Sequence, residues 1–89
     1  MGYYVVMLPM LDEEKSRVYR PEHLAYLEEQ RGKGRIFANG RFPDGSGGMV
    51  IYKADHLEQA QQWAAEDPYV LHGARRAEVR EWEMVPGAL

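Results

Sequence analysis

The run Tyr3-Tyr4-Val5-Val6-Met7-Leu8 is aromatic, β-branched or otherwise apolar at every position. A strand without alternation of polarity reads as one buried on both faces, and Pro9, which has no N–H to give to a ladder, ends it. The rest of the chain must therefore supply strands on both sides of this one.

Those strands are legible further on. Residues 35–42 alternate, with Ile36, Ala38, Gly40 and Phe42 on one face and Phe37, Asn39 and Arg41 on the other, as in a half-exposed strand. The turn-rich stretch Pro43-Asp44-Gly45-Ser46-Gly47-Gly48 joins it as a hairpin to Met49-Val50-Ile51-Tyr52, again apolar on both faces. A last strand is expected over about residues 76–85. Two helices fit between. Pro21 suits the first position of a helix after the polar stretch of residues 12–17, with Leu24 and Leu27 as its apolar stripe, Tyr26 beside them, and Gly32 and Gly34 stopping it. This reading puts His23 in the first helical turn. Asp55 and Glu58 have the spacing of a capping box for a second helix carrying Leu57, Ala60, Trp63 and Ala64. Asp67-Pro68 repeats the cap-then-proline pattern before a short turn, Tyr69-Val70-Leu71, that Gly73 ends.

The order β-α-β-β-α-β with right-handed crossovers predicts an α+β, ferredoxin-like antiparallel sheet in which the first and third strands are central. Those are the two strands without alternation. Two helices cover one face of such a sheet, so the apolar residues of the first strand predict a homodimer with sheets facing. A chain of 89 residues, with no shift in composition along it, gives one domain over 1–89 with a modest core.

Composition narrows the function classes. A hydrophobic share of 45% against 28% charged residues is that of a folded globular chain. Fourteen acidic against 11 basic residues, with a formal charge of -3, leave no basic stripe for a nucleic acid. An RNA-recognition module of this topology needs exposed aromatics on its third strand, which Gly48-Met49-Val50-Ile51-Tyr52 does not provide. With no cysteine and three scattered histidines, neither disulfide, thiolate nor metal chemistry is expected, and no cofactor. The start, Met1-Gly2-Tyr3-Tyr4, has no signal-peptide character, and no apolar run approaches a membrane span; a cytoplasmic chain without membrane contact is expected.

Tracing strand directions gathers at one end of the sheet the loop after Pro9, His23, the hairpin turn and the segment from Asp67 to Gly73. His23 and Asp67 become neighbours. A histidine near neutral pKa, with a carboxylate to fix its tautomer, is a candidate general base. The plainer reading is that His23 packs at a helix start and Asp67 caps the turn that Pro68 opens. Arg20, at the same end, suits a clamp on an anionic group. Ser46 reads as part of a flexible connector, His72 as solvated, His56 as helix-start surface, and Trp63 and Trp82 as core or interface residues. Tyr4 and Tyr52 fit the core better than the pocket.

Taken together, Arg20-Pro21-Glu22-His23-Leu24-Ala25-Tyr26-Leu27, Gly40, residues 60–64 around Trp63, and Asp67-Pro68-Tyr69-Val70 followed by Gly73 resemble the YciI-like (YCII-related) family. The match follows most of the chain in order and spacing. Where many relatives have proline after the glycine of the second strand, this chain has Arg41. The resemblance implies a dimeric α+β barrel whose centre is a His-Asp pair, here His23 and Asp67, with Gly40 and Tyr69 joining Arg20 as expected substrate contacts. The family includes an enzyme that dechlorinates a chlorinated hydroxyquinol. The expectation is a cofactor-independent enzyme acting by general acid/base chemistry on a small cyclic or aromatic molecule, in elimination or isomerisation. The alternative is a non-catalytic, metabolite-binding or accessory dimeric domain.

Overall fold

Strand β1 (Gly2–Pro9) pairs antiparallel on one side with β3 (Gly47–Ala54) and on the other with β4 (Glu78–Trp82), while β2 (Ile36–Arg41) lies outside β3, so the order across the sheet is β2-β3-β1-β4. The first and third strands are central, as the absence of alternation predicts. This computed structural model describes residues 1–87. Three helices complete it: α1 (Glu13–Gly32), α2 (Leu57–Ala65) and α3 (Pro68–Leu71). Among the described residues no helix is long and apolar enough to cross a membrane.

The two faces of β1 have different fates. Tyr4, Val6 and Leu8 point toward the helices and are buried with Val50, Tyr52, Leu27, Ala60, Trp63 and Ala64 in the core cluster. Tyr3, Val5 and Met7 face the other way and are half-buried. On that open face Tyr3 meets Phe37 edge-on at 5.1 Å, and Phe37 and Trp82 keep 43% and 42% of their surface exposed.

Helix α1 starts well before Pro21, which corrects the expected boundary. The signal is Asp12, whose side chain accepts from the Lys15 N–H at 3.0 Å and caps the helix, with Glu13 and Glu14 complementing the dipole of the first turn. Pro21 lies inside the helix, where it forfeits one backbone bond at a cost of about 3 kcal/mol. Packing holds the helix through it, because Ser16, His23, Leu27 and Gln30 form the buried side. Three of those four are polar, so the stripe is hard to see as hydrophobic periodicity. Leu24, expected in the stripe, is 43% exposed. His23 is accordingly a mid-helix residue, and the dipole of the first turn does not act on it. The helix ends as expected, with Gly34 in the left-handed region at φ 75° and its N–H on the Arg31 carbonyl.

Four further elements depart from expectation. A bulge at Phe37, where Ile36 pairs with Tyr52 and Ala38 with Ile51, breaks the alternation expected through residues 35–42. Ile36 therefore faces the helices, whereas Ala38 and Gly40 share the open side with Ile51 and Met49. Helix α2 is capped by His56 instead of Asp55: the His56 ring nitrogen Nδ1 accepts from the Gln59 N–H, and the Gln59 side chain accepts from the Asp55 N–H. Strand β4 is shorter than expected, and β3 extends at both ends through Gly47, where a Cβ would stand 2.3 Å from the Leu8 carbonyl oxygen. Only glycine lets the hairpin approach β1 there.

Candidate functional site

Helix α1 packs on α3, and this contact carries His23 onto Asp67 across 44 residues of sequence. Asp67 caps α3 from its N-terminus, its Oδ1 accepting from the Tyr69 N–H at 2.9 Å. The same carboxylate lies 2.8 and 2.9 Å from His23 Nδ1 through its two oxygens. A carboxylate only accepts, so Nδ1 carries the hydrogen in this arrangement, and Nε2 is the nitrogen left for other partners. Both groups are buried, His23 at 8% and Asp67 at 1% exposure. The capping reading of Asp67 and the pairing reading both hold, since one carboxylate performs both tasks.

Tyr69 fixes the plane of the imidazole. Its ring stacks on His23 with centroids 3.9 Å apart and planes 16° from parallel. The guanidinium of Arg75 lies 4.4 Å from the same ring, donates from Nε to Ser16 Oγ at 3.2 Å, and from Nη1 to the Leu8 carbonyl at 3.4 Å.

His23 and Tyr69 form one wall of a cavity of about 110 Å³ between α1 and the β2–β3 hairpin, and Arg20, Gly40, Arg41 and Arg75 are on its other walls. Asp67 does not line this cavity; it stands behind the imidazole. A neighbouring hollow of about 280 Å³ shares Arg20, Arg41, Tyr69 and Arg75 and extends past Glu13, Ser16 and Arg17. A Cβ at Gly40 would meet no atom within 4 Å and would project to the open side with Ala38, so the Gly40 backbone borders the cavity and glycine is not required there.

All of the expected site residues, His23, Asp67, Arg20, Gly40 and Tyr69, thus meet at one place. Arg41, Arg75 and Asn39 line the cavity without having been expected there. Arg41 and Asn39 sit beyond the Phe37 bulge, on the side of β2 opposite Ala38 and Gly40. The bulge is what turns them toward the helix side of the sheet. Arg75 follows Gly73, in a turn with no periodic signal.

Other candidates fall elsewhere. The Ser46 N–H donates to Asp44 and its carbonyl accepts from Met10 N–H, a turn role. His72 is exposed and stacks on Tyr19 at 3.9 Å. Trp63 is buried against Tyr52 and Arg35. Burial, with the nearby Glu66 and Asp67 carboxylates, pushes the Tyr26 phenol up to about 12, and its hydroxyl donates to the Trp63 carbonyl at 2.7 Å. Burial pushes the Tyr52 phenol up as well. Neither phenol is poised to exchange a proton near neutral pH. Among the described residues no group of three His, Asp or Glu side chains is placed to hold a metal ion.

Comparison with known proteins agrees with this architecture. The chain is 29% identical over 82 residues to the Bacillus subtilis protein YjpA, covering 92% of this chain and 96% of that one. It is 37% identical over 70 residues to the protein YciI of Escherichia coli O6:H1, covering 67% and 71%. It is also 31% identical over 83 residues to a Haemophilus influenzae protein, covering 80% and 85%. The fold matches that of 5-chloro-2-hydroxyhydroquinone dehydrochlorinase (TftG) from Burkholderia phenoliruptrix AC1100, solved in complex with 2,5-dihydroxybenzoquinone, with a TM-score of 0.77, 19% identity and coverage of 91% and 93%. The model of the YCII-related domain matches residues 1–83, and the chain belongs to that family.

Proposed function

We propose that this protein is a cofactor-independent enzyme in which His23 acts as general acid and base on a small cyclic or aromatic molecule, in an elimination or isomerisation. The observation that carries this reading is the order cavity, imidazole, carboxylate: His23 lines the cavity, and Asp67 is bonded to Nδ1 behind it. In the neutral ring Nε2 then has a lone pair to take a proton from a bound substrate. The buried carboxylate stabilises the imidazolium that results. Tyr69, stacked on the ring, holds Nε2 in one direction through the cycle. Leu8, Leu24 and Leu27 give the cavity one apolar side against which a ring can lie. The dehydrochlorinase of similar fold, with a quinone in its complex, suggests chlorinated hydroxyquinols, and ring carboxylates beside them, as the first substrates to try.

The test is chloride release, or a spectral change, across such a panel with the wild-type protein and with His23→Gln. Loss of turnover by about 100-fold or more in a folded variant is expected for a missing general base. Full turnover in that variant overturns the proposal. Ligand binding on thermal shift, with no product from any compound, would instead favour the binding-domain reading.

The assembly we propose is a homodimer closed over the open sheet face, where Tyr3, Val5, Met7, Phe37 and Trp82 are partly exposed around Ile51. Light scattering is expected to give twice the 10.3 kDa of one chain, and a monomer at micromolar concentration would refute it.

A further inference from the structure

The chain carries a formal charge of -3, yet the cavity wall beside His23 is arginine-rich. Arg20, Arg41 and Arg75 line both the cavity and the hollow next to it. Of the five other arginines three are matched, Arg17 with Glu14, Arg31 with Glu28, and Arg76 with Glu78, while Arg35 lies over Trp63 and donates to Gln30. Among the described residues, no carboxylate lies within 4.0 Å of Arg20, Arg41 or Arg75. Asp67 does not serve them, because its oxygens are taken by His23 and the Tyr69 N–H. Glu13 is the one acidic residue on the walls, and it borders only the outer hollow.

Arg75 is the most informative of the three. It is half-buried, and a desolvated cation is ordinarily paired. Here its partners are neutral: a serine hydroxyl, a backbone carbonyl and the face of Tyr69. Those contacts use Nε and Nη1 and fix the guanidinium plane, and Nη2 has no acceptor among the described residues. A guanidinium held in place before its partner arrives loses little entropy when an anion binds.

Resting on the reading of His23 as the acid/base, we propose that the substrate is a small organic acid whose carboxylate is held by Arg75 and Arg41, with Arg20 at the mouth. The planar fork of a guanidinium suits the two oxygens of a carboxylate. Tyr69 contacts both His23 and Arg75, so the carboxylate and the exchanging proton belong to neighbouring parts of one molecule. The class is therefore a ring or short chain with an acidic C–H or O–H close to its carboxylate.

Titration by calorimetry at low ionic strength, with benzoate, benzamide and inorganic phosphate as probes, tests this. Benzoate is expected to bind at least about tenfold more tightly than benzamide, its neutral counterpart, and to weaken as salt is raised. Arg75→Gln is expected to reduce benzoate affinity about tenfold. Arg41→Gln, at an exposed residue paired with Gly48 through its backbone and whose side chain makes no hydrogen bond or ion pair among the described residues, is expected to reduce it several-fold and serves if Arg75→Gln does not fold. Arg76→Gln, at a neighbour already matched by Glu78, is expected to leave it unchanged. Equal binding of benzoate and benzamide, or indifference to both Arg41→Gln and Arg75→Gln, overturns the assignment. Tighter binding of phosphate than benzoate overturns the carboxylate class. His23→Gln separates the two proposals: loss of turnover with equal benzoate and benzamide binding leaves the base and removes the anion site. Arginine-dependent benzoate binding with turnover intact in His23→Gln does the reverse.

Discussion

Each end of the sheet holds a histidine beside a carboxylate, and the two pairs behave differently. His23 Nδ1 meets Asp67 at 2.8 Å, with side chains 10% and 2% exposed; His56 Nδ1 lies 3.3 Å from Glu58, with side chains 63% and 78% exposed. The same ring atom has opposite roles. In His23, Nδ1 faces only carboxylate oxygens and must donate; in His56, Nδ1 accepts from the Gln59 N–H as the cap of α2 and cannot at the same time donate to Glu58. Residue type and proximity do not make a reactive pair. The first pair is shielded by α1, α3 and Tyr69, while the second is solvated and shapes only a helix end.

The sharpest way to break the comparison is Asp67→Ala. It removes the acceptor of both the His23 ring N–H and the Tyr69 N–H in a site 1% exposed, leaving two buried donors without partners. A loss of about 3 kcal/mol in urea unfolding is expected. Asp67→Asn keeps an oxygen for Tyr69 and is expected to lose about 1 kcal/mol. It removes the charge that holds the proton on Nδ1, so the nitrogen shifts of the His23 ring are expected to show a change of tautomer. If Asp67→Ala unfolds like the wild-type protein, the buried pair is no more than the exposed one.

The sheet was readable because it depends on features a sequence displays: runs without alternation at Tyr3–Leu8 and Met49–Tyr52, and glycine-rich turns between. The meeting of His23 and Asp67 was expected from strand direction together with a helix start at Pro21; the helix starts at Glu13, and it is the packing of α1 on α3 that brings the two together. What stayed hidden had polar or tertiary causes. Helix α1 buries Ser16, His23 and Gln30, so its inward side has no apolar signature, and Pro21 is a misleading start signal inside a helix that packing sustains. The bulge at Phe37 has no composition mark, yet it moves Arg41 to the cavity. Arg75 gains its meaning only from Ser16, Leu8 and Tyr69, which the fold brings to it.

At the exposed end the expected effects are smaller and different in kind. His56→Ala removes the side-chain acceptor for the Gln59 N–H and is expected to lower stability by about 1 kcal/mol. His56→Asn, which restores a cap acceptor without an imidazole, is expected to recover most of it. Turnover and benzoate binding should not change in either variant. A drop in turnover in both would mean that the two ends are coupled and the contrast drawn between them is false.

The smallest effect is expected from Glu58→Gln, and its salt dependence is the telling part. Glu58 lies in the first turn of α2, where its charge favours the helix dipole, and it is close to His56 without a committed hydrogen bond. At 78% exposure both contributions are screened, so the substitution should lower stability by no more than about 0.5 kcal/mol at low ionic strength, and by less at about 1 M salt, where charges a few ångström apart are already shielded. The loss in Asp67→Ala should persist at the same salt concentration, because Asp67 stands behind the imidazole at 1% exposure, where ions in the cavity do not reach it. Measured side by side, a salt-sensitive Glu58 effect beside a salt-insensitive Asp67 effect ties the difference between the pairs to burial. If both losses fade with salt, the His23–Asp67 bond is open to solvent ions, and burial does not distinguish it from the exposed pair.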